Sequence, residues 1–220
     1  MVLSKHKAEL IDTKNRTTLT REAATLLYRG LAKEYKQAKI MAAKNIGTKK
    51  FPDNFEIALE LDRIAEEIEG PSRNELIMEM REKSLELMNV LKEFNPKLIG
   101  SVWRGTVTKN SDLDIIVYAN DSNHVVKALE SCSNEIIDKR WVKANLDQTV
   151  RSFLNIKVGL NNGKEAEIIV REIEDQDISE KCEIYGDFKS GLSCEQLIKV
   201  LKKDPLKKFI PLRKSKVRHQ

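Results

Sequence analysis

This sequence has few cysteines and no long apolar run. The three cysteines, Cys132, Cys182 and Cys194, are odd in number and form no Cys-x-x-Cys pair. This argues against a disulfide framework and a thiolate zinc site, and it predicts a reducing compartment. No stretch approaches the roughly 18 apolar residues that a membrane-spanning helix needs, and the first residues lack the apolar centre of a signal peptide. We therefore expect a cytoplasmic protein that has no membrane partner.

Internal repeats and low-complexity linkers are also absent, whereas apolar residues are plentiful. Of the 220 residues, 40% are hydrophobic and 33% are charged. That apolar share is too high for a disordered chain, and the length suits one or two compact domains with hydrophobic cores.

The net charge of +5 is unevenly distributed. Residues 1–53 carry a net +7 and residues 199–220 a net +8, whereas 54–100 and 101–198 each carry −5. Basic ends can attract nucleic acid through counterion release, but they can equally be solvated surface. Phe209 is the single aromatic residue among the tail lysines, although aromatic residues usually accompany basic ones in a nucleic-acid-binding segment. Both interpretations stay open.

The first 95 residues show helical periodicity and capping signals. The predicted helices are 21–46, which ends at Gly47; 53–70, which begins with the capping box Asp53-x-x-Glu56; and 72–95, which begins with Ser72-x-x-Glu75 and ends before Pro96. The stripe predicted to be buried on the second helix consists of Phe55, Leu59, Ile64 and Ile68. Residues 1–95 thus form a predicted helical region.

After Pro96 the pattern changes to short apolar runs between polar turns. The predicted strands are 97–101, 112–118, 153–160 and 165–171, with a hairpin-like turn at 161–164. A helix is predicted at 122–132, a strand or a loop edge at 136–143, and a capped helix from Ser193 to Asp204-Pro205. The predicted fold class is α+β, with a sheet-containing domain at 96–175 and C-terminal helices and a basic tail at 176–220.

Two carboxylates in one predicted strand are the principal candidates for chemistry. Asp112 and Asp114 are two residues apart, so their side chains point to the same face of the strand. Such a pair can bind one or two divalent cations, and hard oxygen ligands at a phosphate-handling site suit Mg²⁺. Glu167 on a later strand is the candidate for a third carboxylate, and Glu165, on the same face, is the alternative.

Candidate phosphate-binding residues precede this acidic pair. Gly100 and Ser101 follow the first predicted strand, where a glycine permits close backbone approach and amide and hydroxyl donors can bind a triphosphate. Arg104 lies three residues later, and its guanidinium could neutralise a β- or γ-phosphate. Lys109 is a weaker candidate for the same role.

The motif Ile99-Gly100-Ser101, ten residues, then Asp112-Leu113-Asp114 resembles the signature of the nucleotidyltransferases of the DNA polymerase β superfamily, especially the minimal nucleotidyltransferases. Arg104-Gly105-Thr106 is also similar to the Arg-Gly-Thr of archaeal CCA-adding enzymes. The resemblance covers roughly residues 96–175. It implies a mixed sheet flanked by helices and a two-Mg²⁺ transfer of a nucleoside monophosphate from an NTP to a hydroxyl, with release of pyrophosphate.

The resemblance also implies residue roles. Gly100 and Ser101 would contact phosphate, Asp112 and Asp114 would bind metal, and Glu167 would be the third carboxylate, although many family members have aspartate there. The acceptor stays open among an RNA end, a partner protein and a small molecule. The alternative function is a non-catalytic nucleotide- or RNA-binding regulator that retains the fold.

Overall fold

The computed structural model describes residues 2–46, 51–131, 135–146, 149–160 and 163–213. The chain forms two compact units. The helical unit comprises residues 1–75 and 107–110, and the sheet unit comprises residues 76–106 and 111–220. The boundary at residue 75 lies inside a helix, whereas the predicted division at residue 95 follows the change from helix to strand.

The helical unit contains α1 (Val2–Tyr28), α2 (Tyr35–Ile46), α3 (Asn54–Glu69) and the first turn of α4 (Pro71–Val90). The prediction of one helix over 21–46 was wrong, because a turn separates α1 from α2. Gly30 lies there with φ +70°, and the backbone N–H of Leu31 donates to the carbonyl of Leu26 at 2.9 Å. Leu31 and Tyr35 keep the helical spacing of apolar residues across this turn, so the sequence pattern gave no sign of the turn. The predicted stop at Gly47 lies outside the described residues.

The capping box of α3 is confirmed. The Asp53 carboxylate accepts from the backbone N–H of Glu56 at 2.9 Å, and the Glu56 carboxylate accepts from that of Asp53 at 3.1 Å. For α4 the predicted helix is present but its capping box was wrong, since the helix begins at Pro71 and the Ser72 hydroxyl donates to the carbonyl of Glu69. Proline suits the first helical position because its missing N–H would have no partner there.

Alanines make up much of the buried core of the helical unit. The buried side chains on α1, α2 and α3 include Leu19, Ala23, Ala24, Ala38, Ala42, Ile57, Ile64 and Ala65. The predicted stripe on α3 was therefore partly wrong, because Leu59 is 40% exposed and Ile68 is 62% exposed. The buried face is rotated toward Ala58 and Ala65, whose small side chains permit close approach of helices.

The sheet unit contains β1 (Lys97–Ile99), α5 (Gly100–Arg104), β2 (Leu113–Tyr118), α6 (Ser122–Ser131), β3 (Glu135–Leu146), β4 (Thr149–Gly159), β5 (Glu165–Arg171) and α7 (Cys194–Lys203), together with the rest of α4. The strand order is β1-β2-β5-β4-β3. Only the β2–β5 pair is parallel among the four pairings. The mixed five-stranded sheet with helices confirms the predicted α+β class.

Alternation along the central strands separates a buried face from a polar one. The residues on the buried face include Leu113, Ile115, Val117, Ile156, Val158, Ala166 and Ile168. The opposite face of the same strands therefore carries Asp114 and Glu167. Residues 136–143 are part of β3, and the predicted turn residues Asn161 and Asn162 lie outside the described residues.

The C-terminal helix α7 is capped as predicted. The Ser193 hydroxyl accepts from the backbone N–H of Gln196, whose side chain accepts from that of Ser193, and the helix ends at Lys203 before Asp204. Across the described ranges, none of the helices combines the length and apolar character needed to cross a membrane.

Candidate active site

Asp114 and Glu167 are adjacent on the polar face of the sheet. Asp114 on β2 is the register partner of Glu167 on β5 and of Ile99 on β1. Asp112 precedes β2 and is exposed, whereas Asp114 is half-buried. The short apolar strand β2, with Leu113 and Ile115 anchored in the core, holds the Asp-x-Asp pair in place. The two strands thus bring together three of the predicted site residues.

Gly100 contacts Asp114 so closely that no side chain would fit. Gly100 has φ +68°, and a Cβ atom there would lie 1.9 Å from Oδ2 of Asp114. A left-handed backbone and this close approach both require glycine. Gly100 begins the one-turn helix α5 directly after β1, so the Gly100-Ser101 turn lies against the Asp114 carboxylate. The two halves of the sequence motif therefore meet in space.

Burial and like charges shift the protonation of the acidic pair. Burial raises the pKa of Asp114 to about 7, and the carboxylates of Glu167 and Asp112 contribute to that rise. Partial burial of its carboxyl group also raises the pKa of Asp112, and Glu165 is the main charged contributor. Negative charge is thus concentrated where the sequence predicts a cation.

Glu167 and Glu165 have different partners. Oε1 of Glu167 accepts from Nδ2 of Asn155 at 2.5 Å and from Arg140 at 3.4 Å. Glu165 instead pairs with Nζ of Lys157 at 2.5 Å. Within the described part of the chain, no three His, Cys, Asp or Glu side chains already form a cluster that could hold a metal ion.

A pocket opens beside these acids on the β3–β4–β5 side of the sheet. Its volume is about 390 Å³. Its lining residues are Asp112, Ile137, Asp138, Arg140, Asn155, Lys157, Glu165, Ala166 and Glu167. Four carboxylates, two cations and one amide thus face a space that is large enough for part of a nucleotide.

Four polar residues of the pocket were not predicted as site residues: Asp138, Arg140, Asn155 and Lys157. For β4 a signal existed, since Asn155 and Lys157 alternate with the buried Leu154, Ile156 and Val158, and this alternation predicts a polar face. That this face is shared with Glu167 depends on the β4–β5 register, in which Lys157 is paired with Glu167. Sequence spacing alone does not give that register.

Arg104 is buried, at 4% exposure, and its guanidinium has other partners. Its guanidinium donates to both carboxylate oxygens of Asp187 at 2.6 and 2.7 Å and to the carbonyl of Phe209 at 2.8 Å. The group also stacks over the rings of Trp103 and Tyr185, at 3.9 and 4.7 Å from their centroids. These contacts fix the C-terminal segment to α5, so we leave Arg104 out of the proposed phosphate site.

A second buried arginine fixes the same segment. Arg81 on α4 is fully buried, and its guanidinium donates to the carbonyls of Val102, Trp103, Pro205 and Lys207. Burial lowers the pKa of Arg81 to about 10, so the group remains charged at neutral pH. We call residues 205–209 the C-terminal strap.

Lys109 belongs to the helical unit. Its backbone N–H donates to the carboxylate of Glu69 at 3.0 Å, and its ammonium lies 5.2 Å from the centroid of the Tyr28 ring. Its predicted role in phosphate binding stays a prediction.

Comparisons with known proteins point to limited similarities. Residues 81–186 match the model of a domain of unknown function, DUF4269. No curated protein matches the chain. A cytoplasmic RNA terminal U-transferase is 17% identical, with a TM-score of 0.33, over 54% of this chain and 34% of that one.

Two further solved structures are similar at the same level. Cid1 in complex with the UTP analogue UMPNPP is 19% identical, with a TM-score of 0.34, over 51% of this chain and 36% of that one. The non-canonical poly(A) polymerase complex GLD-2–GLD-3 is 11% identical, with a TM-score of 0.32, over 53% and 39%. The match thus spans little more than a third of those chains.

Proposed function

We propose that the chain is a nucleotidyltransferase that moves a nucleoside monophosphate from an NTP to an acceptor hydroxyl and releases pyrophosphate. The principal support is the close approach of Gly100 to Asp114, with Glu167 as the register partner of Asp114. This arrangement sets phosphate-binding candidates beside an acidic pair and a third carboxylate. It favours Glu167 over Glu165, because Glu167 and not Glu165 is the register partner of Asp114.

The donor set fits Mg²⁺. Asp112, Asp114 and Glu167 offer hard oxygen ligands on one sheet face. The Glu167 and Asp112 carboxylates add to the effect of burial in raising the pKa of Asp114, and a cation would relieve this repulsion. These three residues would hold the metal. When bound, Mg²⁺ ions stabilise charge on the attacking and leaving oxygens and lower the pKa of the acceptor hydroxyl.

The chain's own residues would bind the triphosphate and take up the proton. The Ser101 hydroxyl and the backbone N–H groups of Gly100 and Ser101 would bind phosphate oxygens. Because Oε1 of Glu167 already accepts from Asn155 and Arg140, Oε2 would take the proton of the acceptor hydroxyl. The acceptor oxygen then bonds to the α-phosphorus, and the bond from that phosphorus to the bridging oxygen breaks, so that pyrophosphate leaves.

A regulator that binds nucleotide without turnover is the alternative. The observation that favours it is the contact of Glu167 with Arg140, because a cationic partner weakens a carboxylate as a metal ligand. The acceptor is proposed to be an RNA end, a partner protein or a small molecule.

Transfer of label from α-phosphate-labelled NTPs tests this function. The protein is incubated with Mg²⁺, each NTP, total RNA and cell lysate, and both labelled acceptor and released pyrophosphate are measured. We expect Asp114→Asn to reduce label transfer by at least about 100-fold. Glu130→Gln, which neutralises an exposed carboxylate on α6, is the matched control and should retain activity.

The results separate the two functions. Calorimetric binding of an NTP with no label transfer to any acceptor would favour the regulator. Full activity of Asp114→Asn would refute the proposed site.

A further inference from the structure

The outer strand of the sheet, β3, is exposed on both faces. It is last in the strand order and pairs only with β4 among the described strands. Residues 137–145 are all exposed. A twelve-residue edge strand of this kind is usually covered or blunted, so its side chains need an explanation.

Lys139, Trp141 and Lys143 form a stripe along one face of β3. They alternate along the strand, and they are paired with Ile156, Leu154 and Ser152 of β4, so all three point to the same side. The Trp141 side chain is 66% exposed, whereas the other tryptophan, Trp103, is 4% exposed. An exposed tryptophan between two lysines is thus a surface feature and not a packing residue.

No described carboxylate offsets the positive charge of the stripe. Neither lysine forms an ion pair with a described carboxylate. The neighbouring positions on the same face, Asn145 and Val150, are also uncharged, and Val150 is 67% exposed. A flat aromatic ring with flanking ammonium groups offers stacking to a base and charge to the adjacent phosphates.

The opposite face of β3 lines the candidate active site. Asp138 directly precedes Lys139, Arg140 lies between Lys139 and Trp141, and both line the pocket that contains Glu167. At about 3.3 Å per residue, Trp141 lies about 10 Å along the strand from Asp138. A nucleic-acid strand bound along the stripe would therefore have to cross only the edge of the sheet to reach the pocket.

We propose that the Lys139–Trp141–Lys143 stripe binds single-stranded nucleic acid and presents its terminal hydroxyl to the pocket. This inference rests on the proposed function, which it deepens by naming the acceptor class. One base stacks on the Trp141 ring, and the two lysines contact phosphates on either side. Pairing of two copies through β3 is disfavoured, because it would bring cationic stripes together.

Binding of fluorescently labelled oligonucleotides tests the stripe without any need for turnover. Ribo- and deoxyribo-oligonucleotides of one sequence are titrated without NTP, and anisotropy gives the affinity. We expect Trp141→Ala to weaken binding about tenfold and Trp141→Phe to retain most of it, since phenylalanine still stacks. The paired change Lys139→Gln and Lys143→Gln should reduce the slope of log affinity against log salt by about 1.4.

The control pair Lys202→Gln and Lys203→Gln removes the same charge from exposed positions on α7 and should leave the salt slope unchanged. Equal losses from both lysine pairs, or unchanged affinity of Trp141→Ala, would overturn the proposal. Concentration-dependent dimers that Trp141→Ala abolishes would overturn it too, because the stripe would then be an interface between copies.

These experiments distinguish a refutation of the nucleic-acid site on the stripe from a refutation of the proposed nucleotidyl transfer. Asp114→Asn should bind the oligonucleotides as tightly as the unaltered protein while transferring no label. If Trp141→Ala has normal affinity but the protein still transfers label, the nucleotidyltransferase proposal stands and the acceptor surface is elsewhere.

Discussion

Asp114 and Glu167 are register partners across the parallel pair of β2 and β5, so their carboxylates stand side by side on one sheet face. Because the two residues are directly paired on adjacent strands, no other residue lies between them and their negative charges repel each other. Burial is the main cause of the raised pKa of Asp114, and the neighbouring Glu167 carboxylate adds to it. Both effects lead to predictions about stability and metal binding.

The first prediction concerns pH. The pKa of Asp114 is about 7 in the folded protein and about 3.9 in an unfolded chain. The folded state therefore binds more protons between these values, and this group's contribution to stability falls as pH rises from about 4 to about 7. In metal-free buffer, urea unfolding should show Asp114→Asn to be more stable than the unaltered protein by about 1–3 kcal/mol at pH 8 and nearly equal at pH 4.

Asp121→Asn is the control for pH. The pKa of Asp121 is lowered, mainly because its carboxylate accepts from the backbone N–H of Asn123. Its replacement should give no gain in stability at pH 8. A gain of equal size in both variants would contradict the assignment to Asp114.

The second prediction concerns added Mg²⁺. A ligand that binds the folded state alone stabilises it by about 2.7 kcal/mol at 100 times its dissociation constant. Thermal unfolding of the unaltered protein should therefore shift upward with Mg²⁺ and return on addition of EDTA. KCl at matched ionic strength should not reproduce the shift, and Asp114→Asn should lose it. A shift that survives in Asp114→Asn would place the cation elsewhere.

The third prediction compares two glycines of the sheet unit with similar backbones. Gly100 has φ +68° and Gly186 has φ +76°, but a Cβ atom meets Asp114 at the first and nothing within 4 Å at the second. Gly186→Ala should cost about 1 kcal/mol for the left-handed backbone alone. Gly100→Ala should cost clearly more in urea unfolding and abolish transfer. Equal costs would show that the contact with Asp114 is unimportant.

The fourth prediction concerns Arg104. Lysine cannot reproduce the two-pronged contact with Asp187 or the stacking, so Arg104→Lys should lose about 2–4 kcal/mol in urea unfolding. Asp187→Asn should cause a loss of the same kind. Below the unfolding transition, the KM for NTP should be nearly unchanged in both variants. A large rise in KM without loss of stability would instead assign Arg104 to the triphosphate.

The fifth prediction concerns the C-terminal strap, which Arg81 holds through the carbonyls of Pro205 and Lys207. Arg81→Met removes these donors, so trypsin should cleave after Lys207 and Lys208 faster than in the unaltered protein. Lys83→Met, two residues along the same helix and partly exposed, should not accelerate that cleavage. Similar rates for all three proteins would show that other contacts hold the strap.

Local patterns predicted what depends on local physics. The capping residues of α3 and α7 and the strand β2 were predictable because their signals lie within a few residues. The turn at Gly30 was missed because Leu31 and Tyr35 keep the helical period across it. The contact of Arg104 with Asp187, 83 residues later, and that of Glu167 with Asn155 depend on long-range packing that spacing does not encode.

The ten residues between the two halves of the motif are divided between the units. Residues 107–110 belong to the helical unit, where the carbonyl of Val107 accepts from the buried Arg73 and the Asn110 amide donates to the carbonyl of Tyr28. Because residues 107–110 interrupt the sheet unit in sequence, cutting the chain at one point cannot separate the two units. An expression fragment beginning at residue 76 would leave residues 107–110 without these contacts, so assays of catalysis need both units.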